Sequence, residues 1–261
     1  MSKGYLVLGI DLEGINENLL ERGLNLAVDR VIEVGAVLWD FKKHAPLQIL
    51  SELIDEADRL PISDEVKDLT GIDDEMLRDW GLKKDHTHLL LKNLQGFMKR
   101  ADYIMAHNGI NYDIPMLGAM FKRHGLEMPE KVWIDTARDI IYPKKFHLRN
   151  MASLEHAHGF INPFPHRAVT DVLSMFKIAM NYDFQEIVKL AESPKVKIIA
   201  KLRAPNWKDP NEVDQFNVLK NRVAKSGFRW NPSKKEWSKE VHKVLIDEGA
   251  IDFSFDWSIE S

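Results

Sequence analysis

Gly9-Ile10-Asp11-Leu12-Glu13-Gly14 closes the first apolar run of the chain, Tyr5 to Ile10, and the reading of the whole sequence works outward from it. The run reads as a buried strand. Alternate residues of a strand share a face, so the Asp11 and Glu13 carboxylates stand side by side, about 7 Å apart along the backbone. Two acids on one face of a core strand lose hydration and repel each other, and a divalent cation is the compact partner that relieves both costs. In a chain with 40 Asp and Glu among 261 residues such a triplet also arises by chance, so its weight depends on the rest of the chain.

Length and composition narrow the classes. A chain of 261 residues, 44% of them hydrophobic, buries a sizeable core and excludes disordered and fibrous classes. The first apolar run is too short for a signal peptide and is broken at Asp11, and nowhere do about 18 apolar residues follow one another, which predicts a soluble, cytoplasmic protein without a membrane partner. The absence of cysteine removes disulfides, thiolate zinc sites and cysteine nucleophiles, so any metal must sit on carboxylates or histidines. The charge is divided unevenly. Up to Pro194 there are 23 Lys+Arg against 30 Asp+Glu, from Lys195 to Leu245 there are 13 against 5, and from Ile246 onward five acids and no base. An acidic body followed by a basic segment predicts two parts, the second suited to a polyanion.

In chain order, Arg30 to Asp40 and Leu47 to Ile54 read as two further strands, too close together for crossover helices, which predicts an antiparallel meander. Helical signals come next at Ser63-Asp64-Glu65-Val66, at Leu69-Thr70-Gly71-Ile72-Asp73 and over His86 to Arg100. The strand Tyr103 to Ala106 ends in His107-Asn108-Gly109-Ile110-Asn111-Tyr112-Asp113-Ile114-Pro115, placing Asp113 at a helix start beside a strand end. Trp133 to Asp135 reads as a short strand and Arg149 to His158 as a helix. His166-Arg167-Ala168-Val169-Thr170-Asp171 opens a helix with an expected buried stripe of Val169, Val172, Leu173 and Phe176. Strands followed by alternating helices and strands make an α/β layer fold over residues 1–191.

Asp11-Leu12-Glu13, His107 to Asp113 and His166 to Asp171 together resemble the three exonuclease motifs of the DEDDh (DnaQ-like) 3′→5′ exonucleases, in the same order. Arg30 to Val37, Leu69 to Ile72 and Leu148 to Gly159 resemble the family's supporting segments. The resemblance implies an RNase H-like three-layer fold with a mixed central sheet. It implies that Asp11, Glu13, Asp113 and Asp171 hold two Mg²⁺ ions, for which Mn²⁺ can substitute, and that His166 is the general base. Phosphodiester hydrolysis needs an activated water and neutralisation of the leaving oxygen, which two divalent ions on hard oxygen ligands provide. Contacts to the terminal nucleotide are implied at the backbone of Leu12 and Gly14 and, as an apolar wedge, at Ile72, although the Leu12 side chain also fits plain core; His107 and Asn108 are expected to orient the strand end or touch the substrate. The product implied is a nucleoside 5′-monophosphate. One departure stands out: Ile15 to Asp29 is longer than the family's usual connection.

Residues 192–261 read as a small basic α+β domain with a strand over Val196 to Leu202, a helix over Asn211 to Ser226 and a hairpin around Asn231 to Lys235. Its cations and its tryptophans Trp207, Trp230 and Trp237 suit nucleic acid, since phosphates need charge and unpaired bases stack on rings. The same tryptophans also suit a small core or a protein partner. The functional expectation is therefore a 3′→5′ exonuclease on single-stranded DNA or DNA 3′ ends. Its alternatives are an exoribonuclease of RNase T or oligoribonuclease type and a non-catalytic module that binds nucleic-acid ends or a polymerase.

Overall fold

The computed structural model describes residues 5–18, 23–143, 145–146 and 148–260. The chain forms two compact units, Met1–Ala191 and Glu192–Ser261. In the first, β1 (Leu6–Ile15), β2 (Arg30–Asp40) and β3 (Ala45–Leu53) make the antiparallel meander. Two short helices come after it, α1 (Asp64–Thr70) and α2 (Asp74–Trp80), capped by the Ser63 hydroxyl and the Asp73 carboxylate. Then come α3 (Lys84–Arg100), β4 (Tyr103–Ala106), α4 (Asp113–Arg123), β5 (Trp133–Asp135), α5 (Met151–Ala157), α6 (Ala168–Ala179) and α7 (Phe184–Glu192). The strands order as β3-β2-β1-β4-β5, with β4 parallel to β1 and β5 parallel to β4.

Strand alternation divides β1 between two cores. Leu8, Ile10 and Leu12 pack with Leu90, Leu91 and Leu94 of α3 and Met116, Leu117 and Phe121 of α4. Val7, joined by Val37 and Trp39 of β2, packs on the opposite face with Val172, Met175 and Phe176 of α6. The result is the expected three-layer α/β arrangement with a mixed central sheet.

Two glycines set how closely α6 lies on the sheet. A Cβ on Gly9 would meet the Phe176 ring at 2.5 Å, and one on Gly35 would meet the backbone of Ala168 and Val169 at 2.4 and 2.3 Å. Gly35 is paired with Asp11 in the β1–β2 register, so the start of α6 is brought against the strand position that carries the first acid. The register shifts between Glu13 and Gly14, a bulge that ends the regular pairing beside the acids.

The expected stripe of α6 needs one correction. Leu173 is 36% exposed, and the buried positions are Ala168, Val172, Ser174, Met175, Phe176, Ile178 and Ala179.

In the second unit, β6 (Lys195–Ala200), β7 (Arg229–Asn231), β8 (Glu236–His242) and β9 (Trp257–Ile259) form an antiparallel sheet ordered β7-β8-β6-β9. Helix α8 (Pro210–Lys225) buries Val223 against Ile198, Ala200, Phe228 and Val241, and a short α9 (Lys243–Asp247) comes after β8. Trp237 and Trp257 pack against this core, while Trp230 is 48% and Trp207 68% exposed.

Candidate active site

Three elements and one loop bring the acids and the histidine together. Asp11 and Glu13 project from one face of β1 toward the α6 side. Asp113 is the first residue of α4, reached through the turn after β4, and it is buried. Asp171 lies on the first turn of α6, and His166 sits two residues before that helix. Donor atoms of Glu13, His166 and Asp171 all lie within 4.8 Å of one another.

The electrostatics are those of a site built for a cation. Asp11 is held well above the usual carboxylate range, first by burial and then by the charges of Asp113, Glu13, Asp171 and Glu33. Burial, with Asp171, Glu33 and Asp113 nearby, pushes Glu13 up to about 8. Burial also raises Asp113 to about 7 and Asp171 to about 6, the latter against the opposing pull of the His166 N–H and the Asn162 amide. The Oδ1 atom of Asp113 is buried without a hydrogen-bond partner among the described residues. Mutually repelling acids, one of them with an orphaned inward oxygen, fit hard divalent cations as ligands.

The segment carrying His166 is tightly held. His166 has φ of 59°, and its N–H donates to Asp171 Oδ2 at 3.0 Å. The next residue, Arg167, forks onto Glu33 at 2.9 to 3.2 Å, and the Ala168 N–H donates to the same carboxylate at 3.0 Å. Glu33 is 1% exposed and lies directly opposite Glu13 in the sheet. Neither Glu33 nor its pairing with Arg167 is among the residues that the motifs single out. The available signal is an acid in the middle of the otherwise apolar strand Arg30 to Asp40, which in a buried setting requires a cation.

The remaining expected positions separate. Leu12 points into the α3/α4 core at 4% exposure, so its side chain is not open to a ligand. Gly14 has no room for a side chain, because a Cβ there would meet the Tyr112 hydroxyl, which itself bonds Asn16 Oδ1 at 3.2 Å. Ile72 is fully buried with Ile15, Ile32 and Leu77, which corrects the wedge expectation: its side chain is core and is not displayed to a base. His107 Nδ1 bonds Thr136 Oγ1 at 2.8 Å, and burial lowers its pKa. Asn108 takes φ of 60°, with its N–H donated to the buried Asp135 at 2.8 Å. Both shape the turn that delivers Asp113. The long β1–β2 connection is pinned by Asp29, which accepts from the Glu17 and Asn25 N–H groups; its residues 19–22 lie outside the described residues.

A family model described as exonuclease (RNase_T) matches residues 10–179. The chain is 28% identical over 198 residues to a PolC-type DNA polymerase III of Ureaplasma parvum serovar 3, an alignment spanning 72% of this chain and 12% of the polymerase. Across the curated relatives matched, the chain covers between 10% and 34% of their length. Among solved structures, the nuclease domain of 3′hExo, a DEDDh family member bound to rAMP, superposes with a TM-score of 0.55 at 17% identity, covering 69% of this chain and 92% of that one. E. coli exonuclease I in complex with a dT13 oligonucleotide gives 0.57 at 15% identity, over 75% and 48% of the two chains, and a zinc-bound form of that enzyme with single-stranded DNA also matches. The structural likenesses concern the fold, which is that of the RNase H-like exonucleases, with a second small sheet at the C-terminus.

Proposed function

Because the chain belongs to the RNase_T exonuclease family, we propose that it is a divalent-metal-dependent 3′→5′ exonuclease that removes nucleoside 5′-monophosphates from single-stranded DNA or DNA 3′ ends. The observation that carries the reading is the convergence of Asp11, Glu13, Asp113 and Asp171, each pushed upward in pKa by burial, with an exposed imidazole beside Glu13 and Asp171. These four acids would hold two Mg²⁺ ions, with Mn²⁺ as substitute. Bound there, divalent cations would supply charge neutralisation at the phosphate and make water a stronger acid. His166, solvent-exposed and oriented by its backbone bond to Asp171, takes the proton from the attacking water. The Gly14 and Leu12 backbone offers the polar groups that meet the terminal nucleotide.

DNA is favoured by the likeness to a polymerase and to an exonuclease solved with dT13, whereas the rAMP-bound neighbour supports an RNA reading. The second unit, residues 192–261, holds the substrate strand, a role supported by its cations and by the exposed Trp207 and Trp230. No described helix is long and apolar enough to cross a membrane, and the location we propose is cytoplasmic.

The test is a time course on 5′-labelled single-stranded DNA and matched RNA, with Mg²⁺ or EDTA, for the wild type and His166→Ala. A metal-dependent ladder shrinking from the 3′ end, slowed at least about 100-fold in the variant, supports the mechanism and ranks the substrates. Cleavage indifferent to EDTA, or none of either substrate, defeats it.

A further inference from the structure

Asn162 lies in the loop between α5 and α6, is 5% exposed, and spends every polar atom of its side chain. Its Nδ2 donates to Asp171 Oδ1 at 2.6 Å and to Thr170 Oγ1 at 3.2 Å, and its Oδ1 accepts the Phe164 N–H at 3.0 Å. Its own N–H donates to Oε2 of the buried Glu155 at 3.0 Å. A backbone N–H can only donate, so the Phe164 bond fixes which end of the amide is oxygen and turns the NH₂ toward Asp171. The other oxygen of Asp171 accepts the N–H of His166, which stands at positive φ. The loop thus closes on the Asp171 carboxylate from both sides, with Asn162 at one oxygen and the His166 backbone at the other.

We infer that Asn162 is a positioning residue: its amide fixes the Asp171 carboxylate and, through that carboxylate, the turn that presents His166. The inference rests on the exonuclease reading, in which Asp171 is a metal ligand. Each carboxylate oxygen has two lone pairs, so one hydrogen bond per oxygen leaves capacity for a cation while removing the carboxylate's rotational freedom. A bond from the neutral amide to an ionised acid is charge-assisted, so Asn162 also opposes the repulsion that Asp171 feels from Glu13 and Asp11. A purely local role would need only the Oδ1 turn to Phe164, which Asp or Ser can also make. The Nδ2 bond to Asp171 is what such a role leaves unexplained.

Asn162→Asp separates the two roles, since it keeps the acceptor for Phe164 and replaces the donor facing Asp171 by an oxygen. Binding of Mn²⁺ to the full chain without nucleic acid, read from the free-ion electron paramagnetic resonance signal, is expected to weaken by about 10- to 100-fold. In turnover, kcat falls with KM for the oligonucleotide unchanged, and excess Mn²⁺ restores part of the rate. Asn162→Ser, neutral and still able to form the turn, is expected to behave alike, and it carries the test if the Asp variant does not fold. If both the wild type and a folded variant bind Mn²⁺ equally and turn over equally, the positioning role is overturned and the exonuclease reading stands. A wild type that binds no Mn²⁺ and cleaves nothing overturns both.

Discussion

Replacing Gly35 by alanine asks whether α6 must lie directly on β2 for the acids to meet. The added methyl would stand 2.3 Å from the Val169 nitrogen and 2.4 Å from the Ala168 carbonyl carbon, both backbone atoms that no rotamer change can move. Ordinary contact at this position requires about 3.4 Å or more, so the first turn of α6 must retreat by about 1 Å. That turn carries Asp171 and is continuous with His166, whereas Asp11 and Glu13 remain on the strand. Overpacking of this kind costs about 1–3 kcal/mol, a fall of roughly 3–9 °C in Tm for a unit of this size. A displacement of about 1 Å between groups that must act together costs about 100-fold in rate. Gly9→Ala is the control: it overpacks the same interface, but against the Phe176 ring, a side chain farther along the helix. The assay is kcat on a labelled oligonucleotide beside Tm for both variants. The expected result is a similar loss of stability in both and a much larger loss of kcat in Gly35→Ala. A Gly35→Ala protein with wild-type kcat would refute the reasoning, because the acids would then tolerate retreat of the helix.

The raised carboxylates set a pH dependence in the metal-free protein. Glu13 at about 8, Asp113 at about 7 and Asp171 at about 6 keep their protons in the folded state where the unfolded chain, titrating near 4, has lost them, so stability falls as pH rises from about 4 to 8. Tm in EDTA should drop by at least about 5 °C across that window, and Mg²⁺ should flatten the curve; a Tm in EDTA that rises with pH above about 5 contradicts the cluster's repulsion. Arg167→Ala leaves Glu33 buried and unpaired, with an expected cost of about 3 kcal/mol, whereas Arg167→Leu combined with Glu33→Leu should recover most of it. Urea denaturation of the three proteins measures this, and equal stability of the single and double variants would count against a buried ion pair.

The parts of the site legible in the sequence are those where one residue type at one spacing has a single physical meaning. Two acids two apart on an apolar run must share a strand face, and an acid between a strand end and a proline-started helix must sit at a helix N-terminus. What stayed hidden depends on pairings across the chain. Arg167 and Glu33 are 134 positions apart, and nothing local says that the basic residue of one motif neutralises the acid of a distant strand. Asn162 reads as an ordinary loop residue beside Pro163, since its meaning comes from Asp171 turning back toward it. Ile72 was misplaced for the converse reason. An apolar residue after a helix-ending glycine fits a wedge or a core equally by sequence, and the decision lies with Ile15, Ile32 and Leu77, which enclose it. Strand β9 escaped because it is three residues long and pairs with β6, remote in sequence, whereas α7 was legible from its apolar Ile187, Val188 and Leu190 and was overlooked.

Charge balance then ties the hidden pair to the proposed chemistry. Five carboxylates crowd the end of β1 and its neighbours: Asp11, Glu13, Glu33, Asp113 and Asp171. Arg167 forks onto Glu33 and on nothing else of the five, so one acid is neutralised internally and four are left. Four carboxylates left without an arginine partner repel one another in a desolvated site, a cost that divalent cations would relieve. The same pair has a mechanical effect. By holding Glu33 through Arg167 and the Ala168 N–H, it keeps the start of α6 against β2 without drawing on Glu13 or Asp171, whose oxygens stay available. Removing Arg167 should therefore act on the site in two ways, adding a fifth negative charge and loosening the helix that carries Asp171. Metal affinity and kcat separate the two. Added charge alone would strengthen cation binding while slowing turnover, and a loosened helix would weaken both.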